Sequence, residues 1–248
     1  MNSLDDSLRY ESIKAVISRK ALLQSIYDDV YDKYHNCLMR SPVNGIALEL
    51  GSGAGFTKKR IPEILTSDII PYKGIDKVVD ATRMPFPNDS LRCICMFNVF
   101  HHISDVDLFL KEAQRCLVQG GRVFIVDQHP GLFGYPIYKY FHHEYFDQST
   151  VKWSFNTSGP LSNANGALAW IVFQRDRKIF EQKYPYFRIE KYEPHTPIAY
   201  WLSGGLKWWS LVPRQLTKAI KKIDSLLIDI SPRFGSFVDV ELLKVRYE

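Results

Sequence analysis

The sequence predicts an α/β fold in which a doubly wound, mostly parallel sheet carries helices on both of its faces. Short apolar segments of strand length alternate with helical segments through the first half of the chain, which is the pattern of such a sheet. The first strand, residues 46–50, runs into a glycine-rich turn and then a helical stretch. A hydrophobic fraction of 46% over 248 residues is sufficient for one well-buried domain.

The elements can be assigned in order. An amphipathic helix with an apolar stripe over residues 22–34 precedes the first strand, and a short helix over residues 56–61 follows the glycine turn until Pro62 ends it. A helix over residues 106–117 ends at a glycine pair, and another is expected near residues 216–228. The other predicted strands are residues 64–69, 77–80, 91–97, 122–126, 187–192 and 237–245.

This order predicts one domain with four parts. Residues 1–45 form a helical N-terminal region, and residues 46–130 form the core. Residues 131–186 are rich in aromatic, His, Asn, Ser and Gly residues without a sustained period, so they are interpreted as an insertion that covers the edge of the sheet. Residues 187–248 supply the last strands with a helix inserted between them.

Composition excludes several classes of protein. The net charge of +5 is modest, and no dense block of Lys and Arg is present, so no nucleic-acid partner is expected. The polar N-terminus and the absence of an apolar run of 18 residues predict a cytoplasmic protein. The four cysteines lack a CxxC spacing and are predicted to be reduced packing residues. The sequence does not predict an oligomeric state.

The glycine turn indicates what kind of ligand the protein binds. Gly51, Gly53 and Gly55 give GxGxG, and Phe56 stands where the third glycine of the dinucleotide fingerprint would fall. Glu49 lies two residues before the turn, where its carboxylate repels phosphate and attracts a cationic ligand such as a sulfonium compound. A nicotinamide-dependent oxidoreductase is therefore the less favoured alternative.

Four motifs in this region resemble those of the class I S-adenosylmethionine-dependent methyltransferases, particularly the small-molecule branch. They are the acidic glycine motif at residues 49–55, Asp68 after the second strand, Asp80-Ala81 after the third, and the FNVFHHI stretch at residues 97–103. The resemblance implies a Rossmann-like, mostly parallel seven-stranded sheet with an antiparallel final hairpin. Only residues 70–76 separate the second and third strands, which is too short for the helix that the family usually has there.

The resemblance also implies a cofactor, S-adenosylmethionine, and a set of residues that bind it. In the family, the acid at the position of Asp68 binds the ribose hydroxyls, and the pair at Asp80-Ala81 binds the adenine. Asn98 would border the methionine end. The full predicted set is Glu49, Gly51, Ser52, Gly53, Gly55, Asp68, Ile69, Asp80, Ala81 and Asn98.

Methyl transfer mainly requires alignment of the nucleophile, the methyl group and the sulfur, with a base only if the acceptor must lose a proton. The candidate bases are His102, then His129, then His101, at the predicted ends of the fourth and fifth strands. The FHHEYFD stretch at residues 141–147 was weighed as a metal site, but adjacent histidines are poorly spaced on one helix face, so no metal is predicted.

Two segments bear on the acceptor. The stretch 153–170 offers Trp153, Asn163 and Asn165, a mixture of aromatic and amide groups that suits a polyhydroxylated acceptor. The stretch from Tyr200 to Lys222 combines tryptophans with basic residues, which favours peripheral contact with an anionic membrane.

These features predict a methyltransferase that acts, at oxygen, on a small-molecule or a glycan- or lipid-linked acceptor. A non-catalytic scaffold that binds S-adenosylmethionine remains a second hypothesis of a different class.

Overall fold

The computed structural model describes residues 9–53, 56–142, 144–157, 159 and 163–246. In this part of the chain, seven strands form one sheet in the order β3-β2-β1-β4-β5-β7-β6. The strands are β1 (Ile46–Leu50), β2 (Leu65–Asp68), β3 (Lys77–Val78), β4 (Leu91–Phe97), β5 (Leu117–Gln128), β6 (Phe187–His195) and β7 (Phe237–Lys244). The α-helices are α1 (Arg9–Arg19), α2 (Ala21–Arg40), α3 (Val106–Cys116), α4 (Gly134–Tyr140), α5 (Leu168–Trp170), α6 (Arg177–Lys183), α7 (Ala199–Ser203) and α8 (Thr217–Ile230).

The sheet is mostly parallel, as the sequence predicts. The first five strands pair in parallel, and β7 pairs antiparallel with both β5 and β6. The neighbours of β1 in the sheet are β2 on one side and β4 on the other, so the strand order reverses beside β1. Ligands of such sheets bind at this reversal, outside the carboxyl ends of the strands.

Each face of the sheet is covered by helices. On one face, α2 packs Tyr34 edge-on against Phe124 of β5, and both side chains are buried. On the other face, α3 and the segment 167–184 bury Phe109, Phe173 and Phe180 in the main core. The predicted two-sided helical cover is therefore confirmed.

Local boundaries differ from the predictions where backbone geometry intervenes. The predicted helix after the glycine turn is a single 3-10 turn, Thr57–Lys59. Strand β5 begins at Leu117 rather than at residue 122, because a bulge opposite Leu91 absorbs the glycine pair that was expected to end helix α3. No helix separates β2 from β3 in the described chain, as the short spacing predicts.

The structure divides the predicted insertion into two parts. Its first part, with α4, lies beside the carboxyl ends of the strands. Its second part contains α5, a π-helical turn at Ile171–Arg175, and α6, and it belongs to the main core. The sequence analysis interprets this segment as a cover because it lacks a sustained helical period. The period is absent because its helices are short and separated by irregular turns.

Other predictions from composition can be compared with the structure. Cys37, Cys93, Cys95 and Cys116 are free and buried. None of the described helices combines the length and the apolar character needed to cross a membrane.

A buried carboxylate on β7 links this strand to β5 and α2. Glu241 is fully buried and accepts hydrogen bonds from Arg40 at 2.6 Å and from Arg122 at 2.5 Å. A buried charge that loses a partner is strongly destabilising, because it cannot be rehydrated.

We therefore expect Arg122→Ala to lower the free energy of unfolding by about 3 kcal/mol, measured by urea denaturation. The control is Arg177→Ala, which breaks the exposed pair with Glu181 on α6 and should cost about 0.5 kcal/mol. Equal losses for the two variants would contradict the importance of the buried pair.

Candidate active site

A cavity of about 1600 Å³ opens at the carboxyl ends of β1, β2 and β4. Nine residues of the predicted cofactor set line it together. They are Glu49, Gly51, Ser52, Gly53, Asp68, Ile69, Asp80, Ala81 and Asn98. The tenth, Gly55, lies outside the described residues.

The glycine turn brings bare backbone to this cavity. Gly51 has φ +70°, and a Cβ there would lie 2.1 Å from a methyl carbon of Val99. Gly53 has φ +49°, and a Cβ there would meet no atom within 4 Å. Gly51 is therefore required by close packing, whereas the space in front of Gly53 is open to a ligand.

Glu49, at the end of β1, presents a buried carboxylate to the cavity. One oxygen accepts a hydrogen bond of 2.6 Å from the Thr57 hydroxyl, and the other, Oε2, has no hydrogen-bond partner. Burial raises the pKa of Glu49 to about 7, and the nearby charge of Asp68 adds to this. A cationic donor bound here would satisfy the free oxygen and stabilise the ionised form.

Asn98, which follows β4, has a similar unsatisfied atom. Its backbone adopts φ +56°, and its buried Oδ1 has no hydrogen-bond partner. Such a conformation is uncommon for a residue other than glycine, although asparagine tolerates it better than most. Strained residues are frequent at functional sites, and this one also lines the cavity.

The two aspartates of the predicted set occupy different environments. Asp68 is buried, its Oδ2 accepts a 3.0 Å hydrogen bond from the backbone of Gly53, and burial raises its pKa. Asp80 is exposed and caps a turn by accepting from the backbone and hydroxyl of Thr82. Asp80 therefore combines a turn-capping role with a place on the wall of the cavity.

These features fit S-adenosylmethionine. The unpaired acceptors Glu49 Oε2 and Asn98 Oδ1 suit a ligand that donates hydrogen bonds and carries positive charge, as the amino acid end of this cofactor does. Asp68 and Asp80 lie where carboxylates could accept from ribose hydroxyls and the adenine amino group. A diphosphate would instead meet Glu49 and Asp68, whose charges repel it.

A second group of side chains, which we call the His–Glu cluster, consists of His101, His102 and Glu144. The Nε2 atom of His101 lies 3.3 Å from one carboxylate oxygen of Glu144, and that of His102 lies 3.5 Å from the other. All three residues line the cavity. The histidines come from the turn after β4, whereas Glu144 comes from the loop after α4.

Asp127, at the end of β5, anchors this cluster. Its Oδ1 lies 2.6 Å from Nδ1 of His101, and its Oδ2 accepts from the His101 backbone. Burial lowers the pKa of His101, but the carboxylates of Asp127 and Glu144 outweigh it and raise the pKa to about 10. Burial likewise opposes ionisation of Glu144, yet the two imidazoles hold its pKa well below the usual range. His101 is therefore a fixed cation rather than a free base in the ligand-free cluster.

The other predicted site residues lie away from the cavity lining. His129 contacts the Tyr192 hydroxyl at 3.1 Å, and burial together with the charge of His195 lowers its pKa to about 4. The Trp153 indole donates to Asp176. The Asn165 side chain bonds to the backbone of the loop at Asp147.

Asn163 contacts the His–Glu cluster through its backbone carbonyl rather than its side chain. Its side chain donates to the carbonyl of Asn156 and does not line the cavity, but its own carbonyl lies 3.4 Å from Nδ1 of His102. A carbonyl can only accept, so Nδ1 of His102 is the donor in this contact, and a neutral ring in that tautomer carries its lone pair at Nε2.

Sequence reasoning missed the residues that close the cavity. Tyr27 and Tyr31 of α2 line it, as do Tyr200, Trp201 and the segment 204–209. Lys20, at the start of α2, joins these two walls by donating to the carbonyls of Gly205 and Lys207 at 2.6 and 2.8 Å. The sequence analysis assigns the tyrosines to a packing stripe, and only their positions about two and three helical turns from Lys20 hint at a shared wall.

Comparison with known proteins places this geometry in context. Residues 48–125 match the family model described as a methyltransferase domain. This segment is similar to a methyltransferase domain. The resemblance predicted from the sequence is thus confirmed, and S-adenosylmethionine is the methyl donor of the class.

Two relatives illustrate how far the likeness extends. The uncharacterized methyltransferase YcgJ of Bacillus subtilis (strain 168) is 31% identical over an alignment that spans 33% of this chain and 40% of that protein. The crystal structure of YcgJ superimposes with a TM-score of 0.45 and 15% identity, covering 86% of this chain and all of that one. The match in sequence spans less than half of either chain.

A solved enzyme shares the fold over most of the chain. Geranyl diphosphate C-methyltransferase from Streptomyces coelicolor A3(2), solved with Mg²⁺, geranyl diphosphate and S-adenosyl-L-homocysteine, gives a TM-score of 0.50 at 15% identity, covering 95% of this chain and 83% of that one. The predicted Rossmann-like methyltransferase fold is confirmed.

The pKa of Glu49 yields a test of the methyltransferase domain. In the ligand-free protein this group takes up protons as the pH falls below about 7, so the cationic cofactor should bind less tightly in acid. We expect affinity for S-adenosylmethionine to rise roughly tenfold from about pH 5.5 to 7.5, where the ligand amino group stays protonated. Calorimetry at each pH measures this change.

Glu49→Gln should bind more weakly at the upper pH and show little pH dependence, whereas the exposed control Glu63→Gln should behave as the unaltered protein. Because burial raises the pKa of Glu49 from 4.5 to about 7, its ionisation also costs stability. The free energy of unfolding of the ligand-free protein should therefore fall as the pH rises between these values. A Glu49→Gln variant with unaltered affinity would contradict the assigned role.

Proposed function

We propose that the protein transfers the methyl group of S-adenosylmethionine to an oxygen atom of an amphipathic, lipid-linked acceptor. The observation that carries this proposal is the size and lining of the cavity. Pockets for one ligand commonly reach about 1,000 Å³, and this cavity of about 1600 Å³ has room for a second molecule beside the cofactor.

The part of the cavity away from Glu49 is lined by aromatic side chains. Tyr138, Trp201 and Trp209 contribute to the wall. Phe141 and Trp208 also line it, yet they are 77% and 89% exposed, so they lie where the cavity meets solvent. Exposed aromatic residues at an opening favour the entry of a ligand with a large apolar part.

The adjoining surface suits a membrane. Leu216, Ile223, Leu226 and Ile230 are exposed and fall on one side of α8 by their spacing of seven, three and four residues. Lys218 and Lys222 lie on the same helix and are also exposed. An exposed apolar stripe with flanking lysines is typical of a helix that lies in the headgroup region of an anionic bilayer.

The His–Glu cluster supports reaction at oxygen. A hydroxyl acceptor must lose its proton as its oxygen forms a bond to the methyl carbon and the carbon–sulfur bond breaks. The Nε2 lone pair of His102 faces the cavity beside Glu144, and this nitrogen can take that proton. The products are then the methyl ether or ester and neutral S-adenosylhomocysteine.

The first test identifies the acceptor. We expect purified protein given methyl-labelled S-adenosylmethionine and separated cell fractions to transfer label into the lipid fraction. The label should be released by reagents that cleave methyl ethers or esters, and Glu49→Gln should reduce labelling. Label confined to water-soluble products would overturn the lipid-linked acceptor, and cofactor binding without labelling of any fraction would favour the scaffold hypothesis.

The second test concerns the membrane surface. Leu226→Ser with Ile230→Ser should reduce binding to phosphatidylglycerol-containing vesicles about tenfold, because two apolar side chains no longer enter the interface. The matched control is Ile179→Ser on α6, which removes an equally exposed apolar residue and should leave binding unchanged. Vesicle sedimentation measures both variants, and indifference to anionic lipid would contradict the proposed contact.

A further inference from the structure

We propose that the His–Glu cluster is a binding site for a divalent transition-metal ion, with His101 Nε2, His102 Nε2 and a carboxylate oxygen of Glu144 as its ligands. One ligand atom from each residue lies within 4.8 Å of the other two. The sequence analysis predicts no metal and considers only the FHHEYFD stretch; His101 and His102 lie 42 residues or more from Glu144 in the chain and meet it through the fold.

Each imidazole nitrogen lies beside a different oxygen of the Glu144 carboxylate, at about the separation of neighbouring metal ligands. Two ligands held at about 2.0–2.1 Å on a tetrahedral zinc ion lie roughly 3.3–3.4 Å apart. The two imidazole nitrogens lie 3.3 and 3.5 Å from the oxygens of Glu144. These separations exceed those of good hydrogen bonds between charged groups.

Both imidazole rings are oriented by their second nitrogen. Nδ1 of His101 lies 2.6 Å from the Asp127 carboxylate, and Nδ1 of His102 lies 3.4 Å from the Asn163 carbonyl. Metal-binding histidines almost always direct their other nitrogen to a carboxylate or a backbone carbonyl in this way. In a neutral ring, such partners fix the tautomer in which Nε2 offers its lone pair; at His101, which is protonated in the ligand-free cluster, the ion would displace the Nε2 proton.

The electrostatics of the cluster also favour a cation. The two rings lie with their centroids 4.2 Å apart. Suppose that both Nε2 atoms donated hydrogen bonds to Glu144 while the Nδ1 atoms donated to Asp127 and to the Asn163 carbonyl. Each ring would then carry two protons, and two imidazolium ions would be in contact. One divalent ion between the nitrogens and the carboxylate satisfies the same atoms without that repulsion.

The ligand set indicates the class of metal. Two imidazoles and one carboxylate suit Zn²⁺, Co²⁺, Fe²⁺ or Mn²⁺, whereas Mg²⁺ and Ca²⁺ prefer oxygen ligands. The three side chains line the cavity, so an ion there would keep a coordination position open to water or to an acceptor oxygen. Metal binding does not depend on the proposed acceptor. With an ion bound, Nε2 of His102 is a ligand and no longer the base; the ion would instead lower the pKa of the acceptor hydroxyl, whose proton passes to water, and only this role of the ion rests on the proposed function.

The test uses the full chain without a histidine tag, freed of metal with a chelator and titrated with Co²⁺ and Zn²⁺. We expect one equivalent to bind, with a Co²⁺ absorption spectrum typical of nitrogen and oxygen ligands. Glu144→Gln and His102→Gln should each weaken binding at least about tenfold, and Asp127→Asn about 10–100-fold. The control His35→Gln, at an exposed histidine of α2, should bind as the unaltered protein does.

Binding of S-adenosylhomocysteine shows whether each variant is folded. If Asp127→Asn does not fold, Glu144→Gln still tests the proposed site. Affinity that is unchanged in Glu144→Gln and His102→Gln would overturn the site. A sulfur-to-cobalt charge-transfer band would also overturn it, since the ion would then lie at the neighbouring thiols of Cys37, Cys93 and Cys95. If the protein binds metal but labels no lipid acceptor, the proposed function is refuted and the proposed metal site is not.

Discussion

The site depends on a buried carboxylate that forms an ion pair with no Lys, Arg or His side chain in the described part of the chain. Glu49 lies near the end of β1, where the strand order reverses, and it lines the cavity with one buried oxygen that has no hydrogen-bond partner. Asp68 adds a second buried carboxylate on the neighbouring strand. A protein retains such charges at a cost in stability, and a positively charged ligand that binds there offsets the cost. The same constraint explains why a glycine turn that resembles a dinucleotide site is unsuited to a diphosphate.

The end of the cavity that holds the His–Glu cluster differs, because the charged groups there have partners within the protein. His101 is held between the carboxylates of Asp127 and Glu144, and His102 is oriented by a backbone carbonyl. These contacts join the ends of β4 and β5 to the loop after α4. The chemistry at this end therefore depends on how that loop packs, whereas cofactor binding depends on the rigid strand ends. Such a division allows related folds to keep one cofactor and change acceptors.

The sequence predicted which acidic residues gather at the cavity because the determinants of their positions are local. Glu49 and Asp68 lie at the ends of β1 and β2 and Asp80 follows β3, and parallel strands bring their carboxyl ends to one edge, so the three residues line one cavity. The acceptor half could not be read in the same way. Trp153 was assigned to a binding loop, but its indole is committed to Asp176, a contact across 23 residues. The partnership of His101 with Glu144 likewise arises from tertiary packing, and no spacing in the sequence encodes it.

The most direct test of this account is the crystal structure of the complex with S-adenosyl-L-homocysteine, which retains the cationic amino group of the cofactor. The account predicts that this amino group lies within hydrogen-bonding distance of Glu49 Oε2 or Asn98 Oδ1, with the ribose against Asp68. A complex in which Glu49 keeps its free oxygen and the ligand binds elsewhere would contradict the central claim, because the buried carboxylate would then have no role in recognition.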